Sequence, residues 1–175
     1  MSAISQPQNF DVGIHSVVQA SPSYASAVFA PMCEDDLAEV EVIEKSLYDF
    51  PWTVGNFKDS LASGYECWIA RSATNTGVLL GYFLMMLSPG ESHLLNITVV
   101  SAYQGQGFGR QLLTYAATIA RAHQALAMLL EVRPSNAKAF RVYRHIGFEQ
   151  VGLRKRYYPA ANQEREDAIV MRLTL

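Results

Sequence analysis

Two cysteines, Cys33 and Cys67, in a chain of 175 residues exclude a disulfide scaffold and fit a reducing, cytoplasmic setting. Long apolar runs are missing too. The longest, such as Val78 to Leu87, reach half the length that spans a bilayer, so no membrane association is expected. The first residues lack a basic segment followed by an apolar one, and no secretory signal is read there. An excess of one charge is also absent. Fourteen Lys and Arg against sixteen Asp and Glu leave −2, without the bulk positive field of a nucleic-acid-binding protein. Histidine is sparse, and His15, His93, His123 and His145 show no ligand spacing, so no metal site is predicted. What is present is 50% hydrophobic and 17% charged, the composition of one globular domain.

Near-neutrality hides a division along the chain. From Pro31 to Glu66 nine acids face Lys45 and Lys58, a balance of −7. From Val100 to Ala160 nine bases face Glu131 and Glu149, a balance of +7. Two oppositely charged solvated surfaces would account for this. So would an anionic ligand held by the second half and a cationic one by the first.

Residues 1–26 carry Ser, Gln, Pro and Asn without a sustained period and read as a flexible N-terminal extension; residues 27–175 read as the folded domain. Leu37, Val40, Ile43 and Leu47 predict an amphipathic helix that Pro51 ends, and Thr53 is placed to cap a second, through Phe57 and Leu61 to Gly64. Tyr65–Arg71, Val78–Ser88 and Ser92–Val100 predict an antiparallel meander. A helix through Leu112, Leu113, Ala116 and Ile119 follows, then a strand over Leu126–Val132. A helix from about Asn136 to His145 stops at Gly147, and a hairpin runs over Phe148–Tyr157 and Asp167–Leu173. The fold class is α/β, an α+β arrangement on a mixed sheet in a single domain.

Between the third strand and third helix lies Gln104-Gly-Gln-Gly-Phe-Gly-Arg110. A strand, a glycine-rich turn and a helix N-terminus form an anion site, because unpaired N–H groups converge there and the helix dipole adds positive potential. An ordinary tight turn has the same outline. A nucleotide-hydrolase phosphate loop requires Gly-Lys-Ser/Thr, which is absent. A dinucleotide loop requires G-x-G-x-x-G; Gly105 and Gly107 fit, Arg110 does not, and Glu131 would stand in for the ribose-binding acid. The third pattern, Gln-x-x-Gly-x-Gly, is met by Gln104, Gly107 and Gly109.

That third pattern resembles the pyrophosphate loop of the GNAT family of acetyl-CoA-dependent N-acetyltransferases. Leu94-Leu-Asn-Ile-Thr-Val99, Leu130-Glu-Val-Arg-Pro-Ser-Asn136 and Tyr143-Arg-His-Ile-Gly-Phe148 follow in the family's order. Arg156-Tyr-Tyr-Pro159, Arg165-Glu-Asp-Ala168 and Phe50-Pro-Trp-Thr53 are similar to signatures of its RimI-like, ribosomal-protein-alanine branch. The likeness covers residues 30–173. Ser101-Ala102 departs from the family's usual Asp-Pro, and the N-terminal extension has no counterpart.

The resemblance implies a single GNAT acyl-CoA N-acyltransferase domain and assigns roles to residues. Glu131 matches the general base and Tyr143 the general acid that protonates the coenzyme's sulfur. Asn136 matches a coenzyme-binding residue. Ile97, Thr98 and Val99 match the strand that pairs with the pantetheine arm, and Gln104, Gly105, Gln106, Gly107, Phe108, Gly109 and Arg110 the pyrophosphate cradle. The chemistry is compatible: an α-amine of pKa about 8 needs only a modest base, although a carboxylate starts at about 4.3 and needs burial or an intervening water. A thiol at about 8.5 and a phenol at about 10 can exchange a proton usefully. Asn136 and Tyr143, seven apart, share a helix face. Outside the resemblance, Glu131 reads as a strand-end acid paired with Arg133, and Tyr143 as a core aromatic. The expected function is acetyl transfer from acetyl-CoA to the N-terminal α-amine of a protein, an alanine of a basic ribosomal protein, with no nucleic acid bound directly. The alternatives are another amine acceptor (lysine, polyamine or drug) and a non-catalytic acyl-CoA-binding module.

Overall fold

A computed structural model describes residues 27–75 and 77–175; the predicted extension over residues 1–26 lies outside them. A strand, β1 (Ala27–Pro31), precedes helices α1 (Leu37–Leu47) and α2 (Val54–Ala62). Strands β2 (Glu66–Ser72), β3 (Leu79–Ser88) and β4 (Glu91–Val99) form the expected meander. Helix α3 (Phe108–Ala122), strand β5 (Ala127–Val132), helix α4 (Ala137–Ile146) and the hairpin β6 (Glu149–Pro159) and β7 (Arg165–Thr174) complete the chain. The sheet reads β1-β2-β3-β4-β5-β7-β6, antiparallel throughout except for β4 beside β5. Strand β1 is the element the sequence does not announce. It is a five-residue edge strand ending in proline, too short to show a period, and its pairing with β2 defines it.

Local chemistry sets the helix ends. Thr53 Oγ1 accepts from the Asn56 N–H at 3.3 Å while Asn56 Oδ1 accepts from the Thr53 N–H at 2.9 Å, closing a capping box on α2. Gly147, at φ +110°, ends α4 in the left-handed region. Alternation along the strands then divides the core. Tyr82 and Leu84 pack with Phe57, Leu37 and Val40 under α1 and α2, and Phe83, Met85, Leu94 and Leu130 pack with Leu112, Leu113 and Ala116 of α3. Leu130 and Val132 are buried on the α3 side, so Glu131 projects from the other face.

One irregularity shapes the site. Strand β4 pairs with β5 only from Glu91–Ala127 to Leu94–Leu130. Its register with β3 slips there as well, since Leu84 faces Asn96 while Met85 faces Leu94, leaving Leu95 as an extra residue. Such a bulge bends a strand and ends pairing. Beyond it β4 stays on β3 and β5 stays on β7, and a wedge opens between Asn96–Val99 and Glu131–Val132.

Candidate active site

Ile97, Thr98 and Val99 occupy the open edge of β4, where an extended ligand can add as a strand. The Thr98 side chain faces the α1 side, buried, and its hydroxyl lies 2.9 Å from the Tyr48 hydroxyl. Around it sits a polar cluster with no counterpart in the sequence reading. Buried Glu44 of α1 accepts from the Tyr82 hydroxyl at 2.7 Å, the Asn96 amide at 3.0 Å and the Trp52 N–H at 3.0 Å. This carboxylate ties the α1–α2 loop to the strand beside the wedge. The helical period already places position 44 on the buried face of α1, seven residues after Leu37 and four after Val40, although an acid there does not announce burial in the sequence.

The glycine loop leaves β4 directly. Ser101–Tyr103 forms a 3₁₀ turn where the family has Asp-Pro, with the Tyr103 N–H bonded to Val100 O at 2.8 Å. The glutamine side chains brace the loop from within: Gln104 Nε2 donates to Val99 O at 3.1 Å, and Gln106 Nε2 to Ala102 O at 3.0 Å. Gln104 Oε1 accepts from Lys138 at 2.8 Å and so brings a cation of α4 to the loop. Among the described residues, the N–H groups of Gly105, Gln106, Gly107, Phe108 and Gly109 find no acceptor. Gly105 at φ +78° and Gly107 at φ +88° use the conformation that only glycine adopts freely. Consecutive free donors at the start of a 15-residue helix, beside Lys138, suit a pyrophosphate.

Glu131 stands at the mouth of the wedge with its side chain 7% exposed. The alternative reading of Glu131 as a strand-end acid paired with Arg133 does not hold: Arg133 turns to Glu166 at 3.1 Å and lies 4.2 Å over the Tyr158 ring. Strand alternation is not the cause; the loop after β5 carries Arg133 toward the hairpin, where Pro159 O and Glu166 both accept from it. Glu131 instead meets His93 of β4, with Nε2 and Oε2 2.5 Å apart, and Arg154 of β6, whose Nη1 is 3.0 Å from Oε1. The arginine is at ion-pair distance without hydrogen-bond alignment, and Oε1 is buried with no hydrogen bond among the described residues.

Tyr143, on α4, is buried against Phe148 at a ring separation of 5.7 Å. Burial, with smaller contributions from the Tyr48 and Tyr158 hydroxyls, pushes its phenol well above the ordinary tyrosine range. The phenol therefore holds its proton throughout the neutral range. Asn136 is the N-cap of α4 rather than a residue within it, its Oδ1 accepting from the Ala139 N–H at 3.1 Å. The shared-face argument from a seven-residue spacing is corrected accordingly. A caps-and-donates role remains, because the amide N–H₂ is left for a ligand. Arg110 is exposed on the first turn of α3.

A cleft of about 290 Å³ lies among the α1–α2 loop, the β5–α4 loop and the hairpin, lined by Tyr48, Asp49, Phe50, Arg133, Pro159 and Glu166. The hairpin signature anchors this cleft. Glu166 accepts from the Ser135 N–H at 2.7 Å and hydroxyl at 3.0 Å. Arg165 donates to the carbonyls of Arg156 and Tyr157, each at 2.6 Å, and Asp167 accepts from the Arg156 N–H at 2.7 Å. Together they hold a bulge in β6 where Arg156 sits at φ +53°. No cluster of metal-ligating side chains occurs among the described residues. His93, Glu44, Tyr48 and Arg154 are the site residues the sequence reading missed. Arg154 sits in the run Arg154-Lys155-Arg156, which reads as solvated charge, and His93 is a lone histidine on a strand.

An opened strand edge, a cradle of free N–H groups at a helix start and a carboxylate at the wedge suit an extended ligand that carries a pyrophosphate. Comparison with known proteins agrees: the acetyltransferase (GNAT) family matches residues 34–148, and the chain belongs to that family. A [ribosomal protein bS18]-alanine N-acetyltransferase of Escherichia coli K12 is 33% identical over 140 residues, 80% of this chain and 92% of that protein. An uncharacterised protein of Mycobacterium leprae is 39% identical over 128 residues, where the match takes in 71% of this chain and 33% of the relative's length. The crystal structure of the ribosomal-protein-S18-alanine N-acetyltransferase from Escherichia coli superposes with a TM-score of 0.75 at 31% identity, covering 85% of this chain and 93% of that one. Arabidopsis thaliana NAA60, solved with a bisubstrate analogue, shares the fold at a TM-score of 0.75 and 18% identity.

Proposed function

We propose that this protein transfers the acetyl group of acetyl-CoA to the α-amino group of an N-terminal alanine on a ribosomal protein, in the cytoplasm. The observation that supports this best is Glu131, a buried carboxylate with one oxygen free of hydrogen bonds at the mouth of the β4–β5 wedge. The open edge at Ile97–Val99 aligns the pantetheine arm, and the free N–H groups of residues 105–109 hold the pyrophosphate, with Lys138 and Arg110 adding positive charge. The acceptor enters from the Tyr48–Phe50 cleft. Glu131 removes a proton from the ammonium, the amine lone pair forms the C–N bond at the thioester carbon, and the C–S bond breaks as Tyr143 donates its proton to sulfur. The second proton on the attacking nitrogen leaves to solvent as the neutral amide forms, and solvent exchange returns Tyr143 to the phenol and Glu131 to the carboxylate. The alanine N-acetyltransferase activity by which the Escherichia coli relative is named, alignable over 92% of its length, supports the alanine acceptor. No helix among the described residues is long and apolar enough to cross a membrane.

Glu131→Gln keeps the shape and removes the base. Turnover on an Ala-started peptide should fall by roughly 10²–10⁴, the range for a general base, with acetyl-CoA affinity by calorimetry unchanged. Full turnover would mean that the amine arrives deprotonated and that Glu131 is not its base.

A further inference from the structure

The two oxygens of Glu131 stand in different surroundings, and the difference originates in His93. Oε2 faces the imidazole Nε2 at 2.5 Å, whereas Oε1 has Arg154 at 3.0 Å and no hydrogen bond. His93 lies on β4 opposite Leu129 of β5, in the last stretch where the two strands still pair, and Glu131 is two residues further on the same face. The imidazole thus reaches the carboxylate from the closed end of the wedge. Its side chain is 20% exposed, and its register partner on β3 is the apolar Met86. Arg154 is on the edge strand, with a side chain 51% exposed, so it can withdraw from Oε1 at little cost. His93 is packed between strands and cannot.

We propose that His93 is a positioning residue for acetyl transfer, fixing Glu131 by its contact with Oε2 so that Oε1 is the atom that receives the acceptor's proton. This rests on the reading of Glu131 as the base. In the step, an N–H bond of the ammonium breaks and an Oε1–H bond forms, neutralising the carboxylate. The Nε2 proton stays on nitrogen, and Arg154 gives way to the incoming cation. Without the imidazole the carboxylate is free to rotate about its last bonds toward Arg154, and both oxygens become equivalent and misaimed.

The test is a double-mutant cycle on an Ala-started peptide. H93L, which fills the space without a donor, should lower kcat by about 10–10²-fold, the cost of misplacing a reacting group, with acetyl-CoA affinity held. H93Q, whose amide can donate to Oε2, should recover part of the loss. In the E131Q background H93L should cost nothing further, because the residues act as a unit. Losses that multiply, or an H93L enzyme with wild-type kcat, overturn the proposal. Full activity of E131Q overturns instead the assignment of the base, and the two failures are thereby distinct. An observation that needs no His93 variant comes from NMR of the wild type. The His93 Nε2 proton should be deshielded by the carboxylate and move upfield in E131Q; a resonance unmoved by E131Q contradicts the contact.

Discussion

Tyr143 shows how burial sets a residue's task. The apolar pocket beside Phe148 raises the pKa of its phenol, so the folded protein holds a hydroxyl that keeps its proton throughout the neutral range. In the proposed reaction that hydroxyl stands beside a forming thiolate and stabilises it as the C–S bond breaks. Tyr143→Phe should therefore lower kcat by roughly 10²-fold or more while KM for acetyl-CoA stays near the wild-type value. Steady-state kinetics with both substrates varied checks this, and a mutant that changes only KM would assign Tyr143 to binding. Which residues are candidates for the chemistry is read mainly from motif order. Glu131 and Tyr143 are visible in the sequence, but their surroundings are not, because His93 and Arg154 reach Glu131 from strands 38 residues before it and 23 after it.

At the level of elements, helices with capping boxes and glycine stops were readable from local chemistry, as α2 and α4 show. The meander was readable from its turns. The wedge was not, because it comes from a single extra residue, Leu95, whose effect depends on two neighbouring strands at once. The hairpin signature is a related case. Arg165, Glu166 and Asp167 look like a charged turn, yet each side chain grips a backbone group of β6 or of the β5–α4 loop. Arg165→Ala should free the carbonyls of Arg156 and Tyr157 and relax the β6 bulge. Because the bonds are charge-assisted and half in solvent, stability should fall by only about 1–2 kcal/mol. KM for the acceptor peptide should rise more than that for acetyl-CoA, since the cleft and not the glycine loop is disturbed. Equal effects on the two would detach the hairpin from the acceptor.

For the whole molecule the charge division survives, with a narrower meaning. Several acids of the first half are spent internally: Glu34 on Lys58, Asp36 and Glu39 on Arg71, and Glu41 on Lys45. Glu44 is buried among its donors. Exposed Asp49 lines the cleft through which the acceptor is proposed to enter. Lys45 and Lys58 are already counted in the −7, so only Arg71, from outside the segment, reduces it, and attraction for a cationic acceptor is spread over the face. The expected outcome is that kcat/KM for an Ala-started peptide falls as Arg and Lys near its start are replaced by Gln, and that salt shrinks the difference, since screening acts over about 8 Å at physiological ionic strength. Equal kcat/KM for basic and neutral peptides at low salt would make the acidic face an ordinary solvated one.

The measurement that reaches furthest is the position of the acetyl group on a peptide bearing both an N-terminal alanine and an internal lysine, read by tandem mass spectrometry after reaction with acetyl-CoA. With Glu131 as the proposed base and the cleft between the α1–α2 loop and the hairpin as the acceptor's proposed entry, a single acetyl group on the alanine α-amine is predicted. Acetylation of the lysine side chain, or of neither amine, would contradict it.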